Sequence, residues 1–308
     1  MVLTTPLIRA FSKQLNAEVH VVTKTAFREV LEHNPYVTKV HHFSGALSEV
    51  VPQLKEEKFD LVADLHKNLR SYRLRQALGV KTLSFDKLNS KKLLAVRFKM
   101  RSLLPQKHIV DRYFEGMAPA GIINDGEGLD YFIGEDEKID TAKLFFKGQQ
   151  KEFLVLVIGG SYPTKQIPFN KLVQICDRAT MPVVLLGGKE DKPVADELRK
   201  LFPHLVNGSG QFSINQSASV IEQAGWVITS DTGMMHIAAA YNKKIISVWG
   251  NTIPEFGMAP YKPHPQNLIL EIKNLGCRPC SKLGYRRCPR GHFRCMQDID
   301  YEFLKNLK

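Results

Sequence analysis

Short apolar runs alternate with helix-patterned stretches along nearly the whole chain, and this alternation limits the fold more than any other feature. The runs EVHVVT (18–23), VTKVHHF (37–43), DLVADL (60–65) and VKTLSF (80–85) read as strands, with helical stretches near 25–32, 46–56 and 68–78 between them. Repeated strand–helix–strand units build a parallel sheet covered by helices. A polar, charged stretch at 134–152 interrupts the pattern, which then restarts. FLVLVIG (153–159), VVLLGG (183–188), WVITS (226–230) and KIISVWG (244–250) are the later strands. Helices are expected near 168–179, 191–201 and 213–223, and after Gly233. The expectation is α/β: two domains, 1–145 and 152–308, with a ligand cleft between them or at strand carboxyl ends.

Composition removes several classes. With 44% apolar and 24% charged residues among 308, the chain is neither disordered nor fibrous. No apolar run approaches the roughly 20 residues of a bilayer span. The opening MVLTTPLIRAF lacks the layout of a signal peptide, and five cysteines do not suggest a secreted disulfide scaffold. A cytoplasmic setting is therefore expected.

The net charge of +12 is concentrated: Lys67 to Arg112 holds 13 basic residues and two acids, Asp86 and Asp111. Such an excess reads as a surface that meets nucleic acid, a phosphorylated ligand or an anionic membrane, or as solvated lysine-rich helix faces. No zinc-finger, RRM or KH signature accompanies it, so nucleic acid is not an expected partner.

Three loops that follow apolar strands carry the chemistry. Ser230-Asp231-Thr232-Gly233-Met234-Met235-His236 ends WVITS and opens a helix, which aims backbone N–H groups and the positive helix end at an anion. Asp231 or Thr232 could equally be a helix cap alone. His236 lies one turn beyond Thr232 and shares its face. Gly159-Gly160-Ser161-Tyr162-Pro163-Thr164-Lys165 offers hydroxyls at Ser161 and Thr164 and a point charge at Lys165, without P-loop or dinucleotide spacing. The third strand ends in Gly187-Gly188-Lys189-Glu190. Polar strand ends in one α/β domain converge on one rim.

These segments resemble the ADP-heptose:lipopolysaccharide heptosyltransferases, bacterial glycosyltransferases (family nine) of the GT-B type with two Rossmann-like domains facing a cleft. The resemblance rests on Asp231 to His236 with Ala238-Ala239-Ala240, on KKIISVWGNTIPEFGMAPY, on Thr164-Lys165 with Ile167-Pro168, and on Gly187 to Glu190. In the first half LTTPLIRAF, HNPYV, DLHKNLRS and HIVDRY are also similar. It implies an ADP-sugar donor held by Ser161, Thr164, Lys165, Glu190, Asp231, Thr232, Gly233 and His236, with Lys165 neutralising the leaving diphosphate. It implies an anionic lipopolysaccharide-core acceptor at Lys67, Arg70 and Arg112, no required cofactor, and a place at the inner face of the inner membrane. The family's opening strand and its Gly-Asp pair, whose aspartate is the general base, would precede Met1. The N-terminal first strand is thus expected to be missing and no catalytic residue is assigned, with Asp64 a candidate substitute. A non-catalytic nucleotide-sugar binder is the alternative reading.

Two further features stand apart. Cys277, Cys280, Cys288 and Cys295 fall within 19 residues and could close a tetrahedral structural zinc site, or be packed or surface thiols. Arg278, Lys282, Arg286, Arg287, Arg290 and Arg294 accompany them and could reach an anionic ligand. The stretch 89–104 reads as a basic amphipathic helix with Leu93, Val96, Met100 and Leu103 on one face, set against a membrane or the domain core.

Overall fold

The computed structural model describes residues 1–307 and divides into two compact units. The first comprises Met1–Leu88 and Lys107–Phe132. Its strands are β1 (His20–Lys24), β2 (Lys39–Phe43), β3 (Val62–Asp64) and β4 (Thr82–Ser84). β1 pairs with β2 and β3 with β4, both parallel, giving two separate two-stranded sheets where one continuous sheet was expected. Phe43, Val50 and Leu54 form a core with Val22, Phe59, Leu74 and Leu78, so the helix Val51–Glu56 lies on the β1–β2 face. The helix Leu69–Leu78 starts at a reciprocal cap, in which Asn68 accepts from Ser71 N–H at 2.9 Å and Asn68 N–H donates to the Ser71 hydroxyl at 2.9 Å. It stops at Gly79, whose φ of 64° suits a glycine. The helix Ile109–Met117 meets β4 at Gly116, where a Cβ would lie 2.6 Å from the backbone of Ser84 and Phe85. Only glycine permits that approach.

The second unit comprises Asn89–Gln106 and the chain from Ile133 onward. Its strands are β5 (Leu154–Val157), β6 (Val183–Leu186), β7 (Val206–Asn207), β8 (Trp226–Ser230), β9 (Lys244–Trp249) and β10 (Leu268–Glu271). They form one parallel sheet in the order β10-β9-β8-β5-β6-β7, the doubly wound Rossmann-like arrangement. β5, β6 and β8 are buried at every residue, as a sheet covered on both faces requires. Crossover helices Phe169–Arg178, Lys192–Leu201, Ile214–Gln223 and Gly233–Ala240 match the sequence pattern closely. β7 and β10 were not expected.

The boundary also differs from 145–152. Ala95 and Leu104 pack with Ile253 and Phe256. Lys99 Nζ donates to the Cys277 and Pro279 carbonyls at 3.1 and 2.7 Å, and Arg101 donates to the Arg278 carbonyl at 3.0 Å. Residues 89–106 therefore belong with the later chain. Thr141 joins the same unit through Gln223, which accepts from its hydroxyl at 2.7 Å. The helix expected over 89–104 runs only Asn89–Phe98, because Lys99 takes a left-handed φ of 60°. Within the helix Ala95 is the buried residue while Leu93 is 58% exposed, and Met100, beyond the break, is 44% exposed.

Candidate functional site

The strand order of the second unit reverses between β5 and β8, and the crevice beyond such a reversal is where doubly wound sheets take ligands. The loop after β5 and the loop after β8 meet there. A Cβ on Gly160 would lie 3.7 Å from Thr232 Cγ2 and 3.8 Å from Ser230 Oγ. Lys165 Nζ lies 2.6 Å from Asp231 Oδ2 and 3.4 Å from the Asp231 carbonyl. The Thr252 hydroxyl, beyond β9, donates to the same Oδ2 at 3.0 Å. Both charged side chains are mostly enclosed, 16% and 12% exposed, so their field is less screened than on an open surface.

Thr232 occupies the N-cap position of the helix Gly233–Ala240 but does not cap it. Its hydroxyl pairs with that of Thr229 at 3.0 Å. The first-turn N–H groups have no side-chain cap and keep the positive end of the helix available to an anion. A Cβ on Gly233 would touch nothing within 4 Å, so the space in front of this helix start is open. His236 is buried one turn later. Lys165, Asp231, Thr232 and Gly233 thus come together at the strand ends, with His236 one turn along the helix.

The other expected donor residues divide. Ser161 is exposed in the same loop. Thr164 is buried: its hydroxyl donates to the Tyr285 carbonyl at 3.0 Å and accepts from Tyr285 N–H at 2.8 Å. Glu190 is exposed after β6, while the adjacent Asp191 turns inward and accepts from Gly188 N–H at 2.8 Å. Burial pushes the Asp191 carboxyl up from its ordinary value. Two further polar groups belong to this rim, Ser230 at the head of the motif and Asn251, which the sequence did not single out. Ser230 Oγ and both amide atoms of Asn251 are buried without a hydrogen-bond partner in the protein. Buried polar groups left unmade are costly, so they mark a place where a ligand or water completes the bonding.

Arg278 does not face a ligand as its charge suggested. It is buried, and its guanidinium donates to the carbonyls of Gly250, Ile272 and Thr252 at 2.5, 2.7 and 2.8 Å, with Glu271 at 3.0 Å. It shapes the loop that carries Asn251 and Thr252.

Among the described residues no three of the four cysteines, read as a possible zinc set or as packed and surface thiols, bring their sulfurs within 4.8 Å of one another. Cys295 is buried in the core beside Met296 and Ile299, and burial pushes its thiol up to about 12. Cys280 is held up to about 11 by burial and donates to the Cys277 carbonyl at 3.1 Å. Cys277 Sγ lies 3.8 Å from His292 Nε2, and Cys288 is half-buried.

In the first unit, Lys67 and Arg112 converge on the loop after β4. Lys67 Nζ donates to the Phe85 carbonyl at 3.1 Å, and the buried Arg112 donates to that of Asp86 at 3.4 Å. Burial lowers the Arg112 guanidinium from its ordinary value. Arg70 is exposed on the neighbouring helix. Asp64 is fully engaged: Oδ1 accepts from His66 and Lys67 N–H at 3.0 and 2.7 Å, and Oδ2 accepts from the Ser71 hydroxyl at 3.0 Å and pairs with Arg75 at 3.2 Å. It builds the turn and is no substitute base.

The fold and rim define a doubly wound domain whose uncapped helix start at the switch point presents free backbone N–H groups. The chain belongs to glycosyltransferase family 9 (heptosyltransferase), whose model matches residues 48–285. It is similar to lipooligosaccharide heptosyltransferase 2 of Haemophilus influenzae, 33% identical over 102 residues that cover 30% of each chain. The chain thus spans about a third of the length of that relative in the matched region. Lipopolysaccharide heptosyltransferase 1 of Pseudomonas aeruginosa is 26% identical over 262 residues, covering 81% of this chain and 70% of its own. The solved Escherichia coli ADP-heptose LPS heptosyltransferase II shares the fold with a TM-score of 0.69 at 18% identity, over 97% and 94% of the two chains.

Proposed function

We propose that the protein transfers a heptose from an ADP-linked donor to a lipopolysaccharide-core acceptor. The observation that carries this reading is the Lys165–Asp231 pair beside the uncapped start of the helix Gly233–Ala240. Family membership and the names of the relatives support it. The acceptor hydroxyl attacks the anomeric carbon, the bond from that carbon to the diphosphate oxygen breaks, and negative charge grows on the departing ADP. Lys165 and the first-turn amides stabilise that charge; Thr232, Gly233 and His236 line the diphosphate and sugar; Ser161 and Glu190 lie at the outer, nucleoside side. Thr164 acts one step back, holding the loop. Lys67, Arg70 and Arg112 meet the anionic acceptor, and the proton acceptor is assigned to no residue of this chain.

No helix among the described residues is long and apolar enough to cross a membrane. In this reading the protein works in the cytoplasm at the inner membrane face. Exposed Leu93, Phe98 and Met100, with Lys91 and Arg97, form the surface that touches anionic lipid.

The test is calorimetry with ADP and turnover of ADP-heptose on a heptose-deficient core. Lys165→Ala should weaken ADP binding and lower kcat/KM by about 10²–10³-fold, the size seen for one lost charge-stabilising donor. Equal ADP affinity in wild type and variant would overturn the site. Binding without turnover would instead mark a donor-binding relative.

A further inference from the structure

His20, His41 and Glu57 gather in the first unit. Among the described residues they are the set of three or more histidine, cysteine or acidic donors with all ligand atoms within 4.8 Å of one another. The backbone explains the gathering. In the parallel register His20 stands opposite Lys39 and Val22 opposite His41, so both histidines lie on one face of the β1–β2 pair. The helix Val51–Glu56 packs on that face through Leu54 and delivers Glu57 at its end.

We propose that His20, His41 and Glu57 form a binding site for a divalent transition-metal ion of the zinc type, which ties β1, β2 and the connection to β3 together. His20 Nδ1 lies 3.1 Å from His41 Nε2 and 3.9 Å from Glu57 Oε2, and His41 Nε2 lies 3.7 Å from Glu57 Oε1. Ligands bonded at about 2.0–2.1 Å in a tetrahedron stand about 3.3 Å apart, so small side-chain adjustments close the set around an ion. Two imidazoles and one carboxylate suit zinc, leaving one position for water. The side chains of His20 and His41 are almost wholly enclosed, and the Phe59 ring meets His20 edge-on at 5.1 Å, an apolar wall for the site. Lys39 Nζ lies 2.6 Å from Glu57 Oε1 and is the competing cation. It is 56% exposed and can leave to solvent or remain on one carboxylate oxygen while the other binds metal.

The experiment titrates cobalt(II) into the metal-stripped full chain carrying Cys277→Ser and Cys280→Ser, which removes the half-buried Cys-x2-Cys pair as a rival. One equivalent should bind with ligand-field bands and no thiolate charge-transfer band, and zinc should displace it and raise the melting temperature. Glu57→Gln keeps the side-chain shape and should weaken binding at least about tenfold. Lys39→Ala should tighten it. Absence of saturable binding at micromolar cobalt overturns the proposal, as does equal affinity in the parent and Glu57→Gln. Binding that disappears only on replacing the cysteines also overturns it.

Discussion

Thr164 and Tyr285 are joined by two hydrogen bonds through a single hydroxyl, across 121 residues of chain. The hydroxyl that family resemblance would give to a phosphate instead fastens the Lys165 loop to the segment holding the cysteines. Thr164→Val should therefore raise the KM for the donor several-fold while leaving ADP contacts chemically intact. Steady-state kinetics check this. A fall in kcat with unchanged KM would place the hydroxyl on the reacting groups instead.

Asn251 is expected to read the ligand directly. Its amide is buried and unbonded, so Asn251→Leu should be neutral or mildly stabilising in the free protein yet cost the complex about 1–3 kcal/mol. Thermal melting with and without ADP-heptose separates the two effects. Destabilisation of the free protein would show that the amide is satisfied by bound water.

Asp64 should matter for stability and not for proton transfer. Asp64→Ala strands two backbone N–H groups and Arg75, and should lower stability by about 2–4 kcal/mol. Denaturant melts measure the loss. The pH profile of whatever activity remains should keep its wild-type shape.

Arg9 gives the fold an acid limit. Its guanidinium bonds Asp125 at 2.7 and 2.8 Å and also reaches Asp130, and the bond to Arg9 holds the Asp125 carboxyl below its ordinary value. A carboxylate lowered in the folded state contributes stability above its unfolded pKa of about 3.9 and loses it as pH falls through the folded value. Asp130 runs the other way, because burial raises it. Stability followed from pH 6 to about pH 3 should fall less steeply in Asp125→Asn than in wild type.

Lipid binding should depend on Lys91, Lys92 and Arg97 but not on Lys99, which is spent on the Cys277 and Pro279 carbonyls. Reversing the first three to Glu should abolish most sedimentation with anionic vesicles, at about 1 kcal/mol per charge. Retained binding would remove the helix from the membrane reading.

The donor rim was legible because its signals are local: an apolar run followed by Gly, Ser, Asp or Thr fixes both the strand end and the chemistry beyond it. What the sequence hid depends on distant partners or on a single dihedral angle. Glu190 and Asp191 are indistinguishable by type, and only the turn decides which carboxylate points inward. Arg278 looks like a surface cation until carbonyls from two loops surround it. β7 is two residues long, too short for any period to register, and β10 is a sheet-edge strand with two exposed apolar residues, Leu268 and Ile269. The left-handed turn at Lys99 broke an otherwise regular helical pattern, and the metal-binding trio joins residues 20, 41 and 57 across two strands and a helix end.

The excursion of residues 89–106 into the second unit means that the chain crosses between units three times. No single cut yields two self-sufficient fragments, and a piece ending near residue 145 would leave Ala95 and Leu104 without Ile253 and Phe256. The same order governs synthesis on the ribosome. The helix Asn89–Phe98 emerges about 150 residues before its packing partners, a wait of roughly 8–30 s at ordinary elongation rates of about 5–20 residues per second. During that interval its apolar side chains face solvent in the nascent chain, so newborn protein should be a client of ribosome-associated chaperones until the second sheet closes.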